Sequence, residues 1–161
     1  MKRFLGDYAI EAIVYKLGRN AATPGRRRPS ECLIMSQNER DRGFMLSLLE
    51  AEEAEMSVVF SDPSLPDNPM VYVSEEFERQ TGFSEAEAIG RNCRFLQGPG
   101  TNPEAVEALR HALRARTRFT IDILNYRKDG TLFLNRLRIR PIFDQRGDLL
   151  FFAGAQNPVR P

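Results

Sequence analysis

Gly90-Arg91-Asn92-Cys93-Arg94-Phe95-Leu96-Gln97-Gly98 gathers one thiol, two arginines, two carboxamides and an apolar Phe-Leu pair into nine residues. A packed core does not take two guanidinium groups, and a solvated loop has little use for Phe-Leu beside a cysteine. The mixture suits the wall of a pocket that holds a flat, polar-edged, anionic ligand with a thiol against it. No Lys or His adjoins Cys93 to suggest a preformed thiolate. The single histidine, His111, falls in the middle of an expected helix and reads as a surface residue. One His and two Cys supply no metal set. No nucleophile–base–acid arrangement is visible, so catalysis on an external substrate is not expected.

A second group of polar residues emerges from strand parity. Along 132–143, Asn135 alternates in phase with Leu137 and Ile139, while Arg136, Arg138 and Arg140 take the opposite, solvent face. Asn125 shares a face with Phe119, Ile121 and Ile123, and Gln156 with Leu150, Phe152 and Gly154. Three carboxamides thus belong to the inward face of three strands. Each buried without a partner costs about 1–3 kcal/mol. One alone could bond neighbouring backbone; three on one face, near Asn92 and Gln97, point to a bound ligand with both donors and acceptors. A flavin's pyrimidine edge fits that description. Gly154 on the same face would let something flat lie close. Arg94 and Arg110 suit a terminal phosphate, or are surface arginines. The Gly98-Pro99-Gly100 turn is too generic to be read as a phosphate loop.

The elements that must position these groups follow from pattern. Residues 2–17 read as a helix ending at Gly18, and 19–37, with Pro24, Pro29 and three consecutive arginines, as a linker. Residues 38–55 read as a second helix with a Phe44, Met45, Leu48, Leu49 stripe and an acidic end at Glu50, Glu52, Glu53 and Glu55. The compact domain spans 56–161. It opens with strands at 57–61 and 70–73, continues with short helices that include the Ser84–Glu87 capping box and a longer helix from Asn102-Pro103 to about Arg116, and closes with strands at 119–127, 132–143 and 149–157. This order predicts an α+β fold, an antiparallel sheet with helices on one face. Asn125 and Asn135 share a face only if their connection is a three- or five-residue loop or carries a bulge near Gly130.

Composition closes off other classes. A net charge of +1 gives no field for nucleic acid or an anionic membrane. No apolar run approaches the ~20 residues that span a bilayer, and no signal peptide is evident. Two cysteines, Cys32 and Cys93, fit a reducing, cytoplasmic setting without a disulfide framework.

The Cys93 segment resembles the flavin-binding motif of light-oxygen-voltage (LOV) domains, a branch of the PAS superfamily. The likeness continues through Asp67-Asn68-Pro69, Asn125-Tyr126-Arg127-Lys128-Asp129-Gly130, Phe133-Leu134-Asn135 and Phe152-Ala153-Gly154-Ala155-Gln156, covering about 57–157. The resemblance implies a PAS fold holding FMN against a five-stranded sheet, in a blue-light photoreceptor. Cys93 would be the photoactive thiol, forming a reversible cysteinyl-flavin adduct at carbon 4a. Arg94 and Arg110 would hold the phosphate, and Asn92 and Gln97 the ribityl chain and phosphate region. Asn125 and Asn135 would bond the pyrimidine edge. Gln156 would contact the edge carbonyl and nitrogen 5, and would rotate when that nitrogen gains a proton. Met70 stands where the family commonly has Ile or Val, so pocket rigidity is expected to differ. The sequence stops soon after Gln156 and resembles short bacterial LOV proteins without a fused effector. Output is therefore expected through the N-terminal helices, as a homodimer or toward a separate partner. The alternative is a flavin-based redox or ligand sensor without photochemistry, which would not need Cys93.

Overall fold

The computed structural model describes residue 43 and residues 45–159. The chain divides into a unit Met1–Glu50 and a unit Ala51–Pro161. The expected helix over 2–17 and the linker over 19–37 lie outside the described residues. The helix expected over 38–55 is not continuous. Helical backbone is described at Gly43 and Met45–Ser47, gives way to a turn at Leu48, and a separate 3-10 turn follows at Ala51–Glu53. Four glutamates between 50 and 55 would repel one another and the negative end of a helix. One of them, Glu53, is instead held by an arginine of the sheet.

The second unit is a five-stranded antiparallel sheet of β1 (Ser57–Ser61), β2 (Met70–Val73), β3 (Phe119–Tyr126), β4 (Leu132–Phe143) and β5 (Leu149–Pro158), in the order β2-β1-β5-β4-β3. Between β2 and β3 run α1 (Glu75–Thr81), α2 (Glu85–Ala88), a 3-10 turn (Cys93–Leu96) and α3 (Pro103–Ala115). Local chemistry sets each boundary. Ser74 Oγ accepts from Phe77 N and also from Val58 N of β1, so one hydroxyl starts α1 and fastens it to the sheet. The Ser84–Glu87 capping box starts α2. Asn102 Oδ1 accepts from Glu104 N ahead of Pro103, and α3 ends at Arg116 in the left-handed region.

The β3–β4 connection has the odd length that parity requires. Tyr126 pairs with Leu132, leaving Arg127–Thr131 as five connecting residues. Arg127 N donates to Thr131 O and Gly130 N to Arg127 O, so the tight part is a three-residue turn with Gly130 at φ 84°. Asn125 and Asn135 are both buried, on one face.

That inner face packs against the helices in two clusters. Val59, Met70 and Val73 meet Phe77, Ala88 and Leu96. Ile139 and Phe152 meet Leu109. Met70 and Val73 are an odd number of residues apart, yet both reach one cluster because the β1–β2 register shifts between Phe60 and Ser61.

The opposite face departs from expectation. Only Arg136 of the arginine row is solvated, with two 2.8 Å bonds to Asp122. Arg138 is half-buried with Nη1 3.3 Å from Met56 Sδ. Arg140 makes a two-pronged bridge to Glu53 at 2.8 and 2.6 Å, with side-chain exposures of only 11% and 9%. Val58, Phe60, Phe151, Ala153 and Ala155 on this face are buried as well.

Two predictions follow from these contacts. Removing one partner of a buried ion pair strands the other, at about 3–5 kcal/mol. Arg140→Met should lower stability in urea by that order, and Glu53→Leu combined with it should restore most of the loss. Equal stability of Arg140→Met and wild type would refute the buried bridge. The second concerns Glu87, whose carboxylate lies 2.6 Å from Lys128 Nζ and joins α2 to the β3–β4 turn. The Lys128 bond, with Ser84 N, holds its carboxyl at about 2, below the ordinary 4.5. Protonation removes the bound charge, so this contribution is complete above pH 4.5 and fades as pH falls toward 2. Lys128→Met should flatten stability against pH in that window.

Candidate functional site

The thiol segment is held by two layers of contacts. Gly90 (φ 84°) turns the chain after α2, and its N–H donates to Met70 O while Met70 N donates to Arg91 O. Asn92 then caps the 3-10 turn. Its Oδ1 accepts from Arg94 N at 3.0 Å, and its Nδ2 donates to Asp67 O at 2.6 Å and to Asn68 O. Leu96 enters the core beside Val59 and Val73. Phe95 stacks edge-on against Phe83 at 4.9 Å, with the Arg91 guanidinium 3.9 Å above its ring. The Phe-Leu pair that looked foreign to a loop is therefore its anchor, and Arg91 serves the anchor.

Cys93 is a free, exposed cysteine. Neighbouring protein atoms nonetheless desolvate the thiol. Burial pushes its pKa up, against the lowering pull of Arg94. The side chain thus keeps its proton at neutral pH.

The carboxamides form one chain of hydrogen bonds. Asn135 Nδ2 donates to Asn125 Oδ1 at 2.9 Å and to Gln156 Oε1 at 2.8 Å. Gln156 Nε2 donates to Ser57 Oγ at 2.9 Å, and Asn125 Nδ2 reaches Leu124 O. Consecutive strands β1, β5, β4 and β3 each give one member, in direct or diagonal register. The amides therefore largely satisfy one another, and the demand for a ligand is narrower than three unpaired groups. It comes down to Asn135 Oδ1, which is buried and has no partner. Gly154 has a packing reason of its own: a Cβ there would sit 3.2 Å from Val59 Cγ2.

The arginines are less convergent than expected. Arg94 Nη1 lies 2.7 Å from Asp67 Oδ2, and Arg110 Nη1 lies 3.3 Å from Glu107 Oε2; both arginines are exposed. Gln97 ends the 3-10 turn, its N–H donating to Arg94 O. Beyond it, a Cβ on Gly98 would sit 2.5 Å from the Tyr126 ring, and Gly100 N donates to Tyr126 Oη at 2.7 Å. The Gly-Pro-Gly turn is shaped by Tyr126. His111 is exposed. Among the described residues no group of His, Cys, Asp and Glu could hold a metal.

Three residues at the site were given no role by sequence reasoning. Ser57 ends the amide chain; its parity with Val59 on β1 was the available signal. Asp67 and Asn68 stand in consecutive left-handed conformations, φ 67° and 48°, under the Asn92 side chain. Asn68 Oδ1 is a second buried acceptor without a partner. The Asp-Asn-Pro sequence hinted at such a turn.

A five-stranded antiparallel sheet with short helices over one face, matched by the PAS domain model across residues 55–157, places this chain in the PAS domain family. Within it the chain belongs to the light-oxygen-voltage branch. It is 41% identical to the solved LOV domain of a blue-light activated histidine kinase from Erythrobacter litoralis, with a TM-score of 0.64 over 66% of this chain and 98% of that one. A solved structure described as “Flavin Analogue Sheds Light on Light-Oxygen-Voltage Domain Mechanism” is 47% identical, with a TM-score of 0.66 over 68% of this chain and 81% of the other. Among curated relatives, a blue-light-activated histidine kinase of Brucella anthropi is 47% identical over 65% of this chain and 21% of its own length. A blue-light photoreceptor of Listeria monocytogenes is 43% identical over 65% and 41%. The chain thus spans well under half the length of these two curated relatives.

The amide chain makes its own prediction. Gln156→Leu removes the acceptor of one Asn135 N–H and the donor to Ser57. Leaving such groups unpaired should cost the flavin-free protein about 1–3 kcal/mol in urea denaturation. Unchanged stability would mean that the chain does not form.

Proposed function

We propose that this chain is a blue-light sensor that binds FMN and uses Cys93 as its photoactive thiol. The observation that carries the reading is the pairing of a protonated, accessible thiol with a buried carboxamide chain that keeps one acceptor, Asn135 Oδ1, without a partner. The two are joined through the core, since Leu96 of the thiol turn packs on Val59, whose register partner Gly154 lies two residues before Gln156. An acceptor in that position suits a ring N–H. The blue-light photoreceptors among the relatives support the same reading.

Bound FMN would supply blue-light absorption and light-driven reactivity toward the Cys93 thiol. The rest falls to the protein. Asn125 and Asn135 orient the heteroatom edge, and Arg94, Arg110, Asn92 and Gln97 are assigned to the phosphate and ribityl chain. Cys93 would supply its sulfur with the proton still in place. Gln156 can then turn its amide to present oxygen in place of N–H. Its present partners are Asn135 and Ser57, so that turn must exchange the Ser57 bond and give up the bond from Asn135. Ser57 opens β1 directly after Met56, near the Glu53–Arg140 bridge. Output toward the N-terminal segment is proposed along this route, to a second copy or a separate partner. No turnover of an external substrate is proposed. No helix among the described residues is long and apolar enough to cross a membrane.

Purified protein should be yellow and bleach reversibly in blue light. Cys93→Ala should still bind FMN, lose the bleaching and stay fluorescent. Bleaching like wild type in Cys93→Ala would sink the photochemical assignment and leave a flavin sensor of another kind. Ser57→Ala should bleach normally but lose most of any light-induced change in hydrogen exchange at 51–56.

A further inference from the structure

The Arg94 guanidinium, assigned above to a flavin phosphate, already has an anion beside it. Asp67 Oδ2 lies 2.7 Å from Arg94 Nη1. This is not a chance meeting of two mobile side chains. Asp67 stands at φ 67° and Asn68 at φ 48°, and the Asn92 side chain bonds the carbonyls of both. Asn92 also caps the turn that carries Arg94. One side chain therefore fixes the backbones of both partners.

Two features decide what the pair can do. Its side chains are 55% and 59% exposed, so an incoming ligand can reach it. The bond uses one guanidinium nitrogen, leaving other donors on Arg94 for a second oxyanion. Arg94 holds the Asp67 carboxyl below its ordinary range, so the aspartate is charged at neutral pH, where a phosphate is charged too. A phosphate that approaches Arg94 must then displace the carboxylate or lie close to it, and both oppose binding. A flavin without phosphate meets no such cost.

We infer that Asp67 is a built-in anion that competes with a flavin phosphate for Arg94, and so sets how strongly the site prefers FMN over riboflavin. This rests on the flavin-binding reading above. Asp67 is a specificity-determining residue that acts through Arg94.

The test is titration of flavin-free protein with FMN and with riboflavin, read by flavin fluorescence. The proteins are wild type, Asp67→Asn, Asp67→Gly, Arg94→Ala and Asp67→Asn/Arg94→Ala. Asn and Gly both suit a left-handed backbone, so either variant keeps the turn. The expected result is FMN binding tighter by about two- to fivefold in both single Asp67 variants, the scale of one exposed charge pair. Riboflavin should bind as in wild type. The gain should shrink at high salt and vanish when Arg94 is absent. Equal shifts for the two flavins would show a merely structural role and overturn the inference. Weaker FMN binding in both variants would also overturn it, by showing that Asp67 helps to hold the phosphate. A gain that survives Arg94→Ala would place the effect elsewhere. If wild type bound neither flavin, the flavin-binding reading itself would fail.

Discussion

A row of hydrogen bonds runs across the sheet inside an apolar core, from Ser57 through Gln156 and Asn135 to Asn125. Polar groups in that position are tolerated only when paired. The pairing works only if four strands keep their relative register, since a slip of one residue would turn an amide to the other face. The chain is thus both a cost and a specification. It ties β3, β4, β5 and β1 to one alignment and leaves one acceptor, Asn135 Oδ1, without a partner.

The surrounding structure serves that arrangement. The three-residue turn with Gly130 puts Asn125 and Asn135 on the same side. The bulge between Phe60 and Ser61 lets Met70 join the inner cluster that receives Leu96. Leu96 and Phe95 root the thiol turn, and Asn92 laces it to Asp67 and Asn68. Rigid support on three sides and an accessible thiol are what a site needs when a cofactor performs the chemistry and the protein positions it.

Period and punctuation made much of this legible. The β-strands were readable to within a residue at their ends, β1 and β2 from β-rich composition beside a proline-containing turn, and β3 to β5 from alternation and the glycine turns between them. The faces of Asn125, Asn135 and Gln156 followed from parity alone, as did the odd length of the turn between β3 and β4. What could not be read was who pairs with whom. Nothing in a linear pattern says that Asn135 spends both its N–H bonds on other amides, or that Asp67 reaches Arg94 across 27 residues. Whether solvent or the acidic 38–55 segment meets the arginine row was likewise open, since alternation reports which face a residue takes and not what covers that face. Glu53 on Arg140 is a contact between distant segments, and it drew apart what reads as a single helix to residue 55. The resemblance to LOV domains named Asn125, Asn135 and Gln156 as a set, but Ser57, the far end of the amide chain, needed coordinates.

The central claim is that Asn135 Oδ1 waits for a ring N–H of a flavin. It is tested most directly by comparing the binding of riboflavin with that of 3-methylriboflavin, which lacks the pyrimidine N–H, to wild type and to Asn135→Ala. The account predicts that methylation weakens binding to wild type by about tenfold or more, the order of one buried hydrogen bond left unmade. It predicts a much smaller difference in Asn135→Ala, where the acceptor is gone. Equal binding of the two flavins to the wild-type protein would contradict it.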